Sequence, residues 1–387
     1  MAQTMFTLQE RPAKVIFGTG VATKLGDELR DRKLKRALLV ADEGIRKSGV
    51  LDDIKKSLKN AEIGFEIFSE VRPNSGDKIV ERGAQIAKKE SCDVIVGVGG
   101  GSSMDTAKAI AAMVTNEGLI KDYEGLNKIK ELPLPIVAVP TTAGTGSEVT
   151  LWAVITDEEQ RRKMGIGSAM LIPTFAIDDP LLTVSMPPSV SAATGMDALT
   201  HAIESYVNTA TQPISECLAL EAIRLIGKNL RPAVARGENI KARYNMLLAS
   251  LMAGLAFHHT RLGNCHALAM PLGGGKWQIP HGIVNAILLP HVMEFNLIGN
   301  LEKFALIAQT MGRRMDGISL KETAEEAVKA VKELSEDIGI LQGLGEFGVK
   351  EKDLPEVAQE AIKSGNVTVN PRRTNIHDLV NICKKAL

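Results

Sequence analysis

Short, continuous apolar runs alternate with amphipathic stretches along the first half of the chain. Residues 15–17 are apolar and end at Gly18-Thr19-Gly20, and a helical period follows over 21–29. Residues 37–41 read Ala-Leu-Leu-Val-Ala, the unbroken apolar pattern of a strand covered on both faces of a parallel sheet. A helix over 50–58, a strand over 64–68, a helix over 77–90 and a strand over 93–98 continue the alternation, and 135–139 is another buried strand. Such alternation predicts an α/β domain with crossover connections. A last strand over 174–178 runs into Pro180, and Pro187-Pro188 follow. Prolines disfavour continuing either element, so the boundary is set between 186 and 187. Beyond it the period becomes helical, over 191–207, 214–226, 240–257, 283–293, 301–311, 320–338, 354–362 and 376–386. The expected fold is an α/β domain over 1–186 with a parallel sheet, followed by an all-α domain over 187–387.

Composition narrows the class. A chain of 387 residues is too long for one ordinary core, in keeping with two domains. Its 44% hydrophobic and 24% charged residues are those of a globular protein, and no run approaches about 18 uninterrupted apolar residues. Residues 1–11 have neither a signal-peptide core nor an Arg-rich transit character. Lys plus Arg equals Asp plus Glu, 46 against 46, which leaves no electrostatic footprint for nucleic acid or an anionic membrane. Aromatics, at 4%, supply no base-stacking platform. The cysteines at 92, 217, 265 and 383 are far apart, which argues against a disulfide framework and for a reducing cytoplasm. The expected partner is a small molecule.

Two small-residue loops follow buried strands. Gly97-Val98-Gly99-Gly100-Gly101-Ser102 closes one strand and opens a helix that carries Asp105 and Lys108. Glycines at 99, 100 and 101 let backbone amides approach a phosphate, and a helix N-terminus adds partial positive charge. Ser102 stands where the dinucleotide fingerprint has its last glycine, and the nearest suitable acid, Asp42, precedes the loop. The stretch reads as a Rossmann-like phosphate cradle on a different strand usage, or as a plain strand-to-helix turn. Pro140-Thr141-Thr142-Ala143-Gly144-Thr145-Gly146 is the second loop, with hydroxyls for ribose or phosphate oxygens. Residues 147–150 after it read equally as a helical turn or the start of a hairpin. Asp42, at a strand's C-terminal end, is placed for a ribose diol and is equally a helix cap.

In the second half, Asp197 and His201 lie four apart in a helical run, so that their side chains share a face. His266 and His281 follow. One carboxylate and three imidazoles make a plausible shell for a divalent metal. Taken alone, the Asp197–His201 pair reads also as an ion pair, and the two later histidines as structural.

Several motifs together resemble one family, the iron-containing (group III) alcohol dehydrogenases, related to glycerol dehydrogenase and dehydroquinate synthase. They are the loops 97–102 and 140–146, Ala193-Thr194-Gly195-Met196-Asp197-Ala198-Leu199-Thr200-His201, the stretch 280–291 beginning Pro280-His281-Gly282, and Asn370-Pro371-Arg372. The similarity spans essentially the whole chain. It implies a dehydroquinate synthase-like fold, a homodimer, and a nucleotide in the cleft between a Rossmann-like domain and a helical, metal-binding one. Asp197, His201, His266 and His281 match the family's four metal ligands, with iron as Fe²⁺ first and Zn²⁺ or another divalent ion also compatible. Asp42 matches a position where a carboxylate favours NAD over NADP. Asn74, Gly101, Ser102, Thr141, Thr142 and Lys163 match cofactor-contacting positions; Gly99, Gly100 and Thr145 join them from the loop reading. Trp152 and Phe257 match pocket-lining positions, with ordinary core packing as the alternative, and His291 is left structural.

The chain departs from the family pattern in two places. Many members carry a second histidine four residues after the third ligand, where Met270 stands here. This leaves His259 or solvent as a proton relay. The stretch Gly273-Gly274-Gly275-Lys276-Trp277 is richer in glycine by one residue. The resemblance implies an alcohol dehydrogenase or aldehyde reductase: an alcohol held on the metal as its alkoxide passes hydride to the nicotinamide of NAD. A glycerol-type polyol dehydrogenase is the nearest rival. A lyase like dehydroquinate synthase would need several cations around the metal, and only Arg261 and Lys276 lie near the ligand stretches.

Overall fold

The computed structural model describes residues 13–314 and 316–387. The expectation for residues 1–11 therefore lies outside the described residues. The strands are β1 (Lys14–Phe17), β2 (Arg36–Asp42), β3 (Gly64–Val71), β4 (Val94–Gly99), β5 (Gly125–Leu126), β6 (Ile136–Pro140), β7 (Trp152–Asp157), β8 (Arg162–Gly167) and β9 (Phe175–Asp178). Six of them form one parallel sheet in the order β1-β9-β6-β4-β2-β3. Around it lie α1 (Leu25–Asp31), α2 (Glu43–Lys47), α3 (Leu51–Asn60), α4 (Asp77–Lys89) and α5 (Gly101–Thr115).

Both faces of this sheet are buried, which explains the unbroken apolar runs. Leu39, Val96 and Val137 pack with Leu25, Leu29, Ile54 and Leu58 on one face. Leu38, Val40 and Ile95 pack with Val80, Ala84 and Ile110 on the other. Register does the rest. Val98 pairs with Val139 and Gly99 with Pro140, so the loops after β4 and β6 leave the sheet side by side. Thr141 N–H donates to Gly99 O at 3.0 Å and joins them.

The remaining strands β5, β8 and β7 form a small second sheet whose core is the antiparallel β7–β8 hairpin. Of the two readings left for residues 147–150, the structure takes a short 3-10 turn leading into this hairpin. The hairpin turn is held by Asp157 Oδ1, which accepts from Glu159 N and Gln160 N at 3.0 and 2.9 Å.

The second half is helical: α6 (Pro188–Val207), α7 (Pro213–Ala235), α8 (Ile240–Thr260), α9 (Asn264–Gly274), α10 (His281–Asn296), α11 (Leu301–Thr310), α12 (Leu320–Asp337), α13 (Leu354–Ala361) and α14 (Ile376–Lys385). Helix α9 has no counterpart among the expected elements. One apolar cluster runs through this half from Leu199 and Ile203 to Leu268, Leu289, Val331 and Leu379. The segment His281–Gly299 has the length and mean hydropathy of a membrane span, but 56% of it is buried inside the fold, as in a core helix.

Candidate metal centre and nucleotide cleft

Gly99 ends β4 at φ 147°, where a Cβ would lie 2.5 Å from Ser103 Oγ. Gly100 then caps α5 with no side-chain bond, which leaves the helix's first amides to an anionic ligand. A Cβ on Gly100 would touch Thr142, and one on Gly101 would lie 2.9 Å from Thr145 Cγ2, so the two loops approach closely there. The buried Thr142 Oγ1 has no partner among the described residues. A bare helix end beside an orphaned hydroxyl fits a phosphate-bearing cofactor. Asp42 does cap a helix: its Oδ1 accepts from Ile45 N at 2.8 Å, and Oδ2 makes no hydrogen bond among the described residues.

Asp105 and Lys108 brace this cleft from behind. Ser147 Oγ donates to Asp105 Oδ1 at 2.6 Å, and Val154 N to Asp105 Oδ2 at 3.0 Å. Lys108 Nζ donates to Ser147 Oγ, Thr150 O and Trp152 O at 2.8 to 3.0 Å. Burial pulls Lys108 down to about 8 against the attraction of Asp105 and Glu148. The motif residues of α5 thus tie the second loop and the hairpin to the first loop.

Helix α6 carries Asp197, His201 and Glu204 on one face, at i, i+4 and i+7. Helix α9 brings His266, and α10 begins with His281. Donor atoms of Asp197, His201 and His266 all lie within 4.8 Å of one another. Asp197 Oδ1 is 3.7 Å from Nε2 of His266 and of His281. The structure therefore gathers the four residues at one point.

Two partners, Glu204 and Asn285, were missed at the sequence level. His266 Nδ1 donates to Glu204 Oε2 at 2.6 Å, and His201 Nδ1 to Gly144 O at 3.1 Å. Each bond fixes a tautomer that leaves Nε2 for a metal. Asn285 Nδ2 sits 2.6 Å from Asp197 Oδ1, 3.1 Å from His266 Nε2 and 3.3 Å from His281 Nε2. Both residues follow ligands at helical spacing, Glu204 three after His201 and Asn285 four after His281, a signal that was available. Burial would raise the Asp197 carboxyl, but the three imidazoles outweigh it and hold it well below its usual range. Burial also pushes His201 to about 4 and His281 to about 3, the neutral forms that bind metal. For His266 burial is overcome by Asp197 and Glu204, which lift it to about 9. The donor set suits a borderline divalent cation.

Close packing of two helices sets this geometry. A Cβ on Gly282 would lie 2.7 Å from the Ala193 carbonyl carbon, a backbone atom of α6. Gly282→Ala is expected to push the first turn of α10 off α6 and move His281 away from Asp197. We expect about a 100-fold loss of kcat/KM, a loss that a misplacement of about 1 Å is able to cause, together with faster loss of metal to a chelator. Unchanged values of both would show that the helices adjust elsewhere.

A cavity of about 420 Å³ opens beside the four donors. Ser102 and Thr145 line it from the loops, and Trp152 and Lys163 from the hairpin. Phe257 also lines it and stacks on His201, centroids 4.5 Å apart. Asn74 Nδ2 donates to Gly273 O at 3.3 Å across the two halves. Met270 is on the wall. His259 is not among the described lining residues; it lies half-buried, edge-on to His258.

Two family models cover nearly the whole chain. "Iron-containing alcohol dehydrogenase" matches residues 12–180, and "Fe-containing alcohol dehydrogenase family, C-terminal" matches residues 191–387. Fold and site define a metal-dependent oxidoreductase acting on CH–OH groups. The chain belongs to the iron-containing alcohol dehydrogenase family. It is 46% identical over 372 residues to a 1,3-propanediol dehydrogenase of Citrobacter freundii, covering 96% of each chain. With an NAD-dependent methanol dehydrogenase of Bacillus methanolicus it shares 41% identity over 376 residues, 97% of this chain and 98% of that one. The crystal structure of a 1,3-propanediol oxidoreductase matches with a TM-score of 0.96 and 44% identity, over 99% of this chain and 100% of that one.

Proposed function

We propose that this protein interconverts small primary alcohols or diols and their aldehydes with NAD(H), using Fe²⁺ held by Asp197, His201, His266 and His281. The observation that carries the reading is the convergence of one carboxylate and three imidazoles beside a cavity shared with the glycine loops. A divalent metal bound there supplies Lewis acidity, polarising a C–O bond and easing loss of the hydroxyl proton near neutral pH.

The protein's own groups do the rest. Glu204 and the Gly144 carbonyl orient two imidazoles. Gly99 to Ser102, with Thr141, Thr142 and Thr145, hold the cofactor phosphates and ribose, and Asn74 and Lys163 meet it from the cleft. The free Oδ2 of Asp42 accepts from the ribose diol and repels a 2′-phosphate, which favours NAD over NADP. Trp152 and Phe257 narrow the substrate channel and exclude water. Met270 offers no proton, so the proton leaves through solvent in the open cleft. Residues 1–186 handle the nucleotide and 187–387 the metal. We place the protein in the cytoplasm as a homodimer; its free cysteines, three of them buried, suit a reducing compartment.

The test is oxidation of NADH and NADPH with short aldehydes, on protein stripped of metal and reloaded anaerobically with Fe²⁺ or Zn²⁺. Metal-dependent turnover that prefers NADH is expected, and Asp42→Gly should shift the preference toward NADPH. Turnover that persists without metal would overturn the reading.

A further inference from the structure

One cation on the cavity wall has no part in the reaction above. Arg261 caps α8 at φ 63°, ψ −165°, a backbone region that is essentially reserved for glycine. Its surroundings hold it there. The Arg261 amide donates to Phe257 O at 3.0 Å, and its carbonyl accepts from Asn208 Nδ2 at 3.1 Å and Thr260 Oγ1 at 2.7 Å. Arg261 lines the cavity with Ser364, Gly365 and Asn366. Its Nη1 lies where a Cβ on Gly365 would stand, so glycine at 365 makes room for the guanidinium. Asn366 Oδ1 accepts from Leu262 N at 3.4 Å and binds the helix end to this loop as one wall.

Arg261 is exposed, and among the described residues its guanidinium makes no hydrogen bond or ion pair, as holds also for the exposed Arg72, Arg161, Arg314 and Arg373; what sets it apart is its place on the wall of the cavity that the four donors share. An unpaired guanidinium, held on a strained backbone over a glycine at the cavity wall, is placed to meet what enters the cavity. We propose that Arg261 recognises an anionic group, a carboxylate or sulfonate, at the end of the aldehyde substrate remote from the carbonyl. A guanidinium forks onto such a group with two charge-assisted bonds, which a neutral alkyl end cannot accept. Trp152 and Phe257 cover the carbon chain between the two ends. The proposal rests on the dehydrogenase reading and narrows its substrate class.

The test compares kcat/KM of metal-loaded enzyme with NADH for matched aldehydes: succinic semialdehyde against butanal, and glutaric semialdehyde against pentanal. Sulfoacetaldehyde supplies the sulfonate arm, and a hydroxyaldehyde the neutral polar control. The parent enzyme should prefer the anionic member by about tenfold or more, the range of charge-assisted hydrogen bonds. Arg261→Gly should lose that preference chiefly through KM, and Arg261→Lys should retain part of it. The Tm of the glycine variant should not fall, since glycine suits the backbone. Equal preference in parent and glycine variant, no preference in the parent, or an equal loss on the hydroxyaldehyde would overturn the proposal. Butanal turnover in all three proteins reports on the dehydrogenase reading separately; its absence with every aldehyde and metal would overturn both.

Discussion

Asp197→Asn is expected to lower kcat/KM by about a thousandfold or more and to leave a folded protein that retains little metal. Asparagine matches aspartate in size and can still accept from Asn285 Nδ2, now 2.6 Å from Asp197 Oδ1, so packing inside α6 is preserved. What disappears is the one negative charge among the four donors. Three neutral imidazoles then face a dication with no anion among them. Lewis-acid stabilisation of a developing oxyanion is worth several kcal/mol, and each 1.4 kcal/mol is tenfold in rate. His281→Ala is expected to act in the same direction from the other side of the site, since His281 opens α10 and only its imidazole is lost. Metal content by elemental analysis, circular dichroism and steady-state rates measured together check both variants. Full metal content with parental turnover in Asp197→Asn would show that the metal sits elsewhere.

Much of this site was legible because sheet and helix periods carry it. The strand runs 37–41, 93–98 and 135–139 appear as β2, β4 and β6, and their register alone brings the two small-residue loops together. Asp197 and His201 share a face because α6 runs without interruption through both. Elements without a period were not legible. Helix α9 is short, apolar on nearly every side and interrupted by Pro271, so no amphipathic pattern marks it, although it carries His266. The β7–β8 hairpin was legible only as one of two readings of residues 147–150, for a related reason: Trp152, Val154 and Thr156 are half-buried and line the cavity, and this erases the polar alternation of a half-exposed strand. In the sequence Arg261 stands out only as a cation near the ligand stretches. Its strain and its open guanidinium are properties of the helix end where it sits.

Glu148→Gln is expected to stabilise the protein by about 3 kcal/mol above neutral pH and to change little near pH 5. Glu148 lies in the 3-10 turn Ser147–Val149, 1% exposed, and its Oε1 has no partner among the described residues. Asp178, at the end of β9, is fully buried with neither oxygen paired among them. Burial pushes Glu148 from 4.5 to about 7, with Lys108 opposing, and lifts Asp178 well above its usual range, with the charge of Glu148 adding to the effect. Below about pH 4.5 the Glu148 carboxyl is protonated whether the chain is folded or not, and it carries no penalty. Between there and about pH 7 the folded state keeps a proton that the unfolded chain has released, so stability falls as pH rises; above that the loss is complete. Glutamine has the same shape and never ionises. The buried histidines act in the opposite sense: His201 and His258, pushed by burial to about 4, make folding more favourable as pH rises toward 6.5. They are present in both proteins and cancel in the comparison. Denaturation midpoints of parent and variant at matched metal content, from about pH 5 to about pH 8.5, should therefore diverge up to about pH 7 and stay apart by a constant amount above it. A difference that stays constant across that range would mean that Glu148 is ionised throughout, stabilised by Lys108 more strongly than burial opposes it.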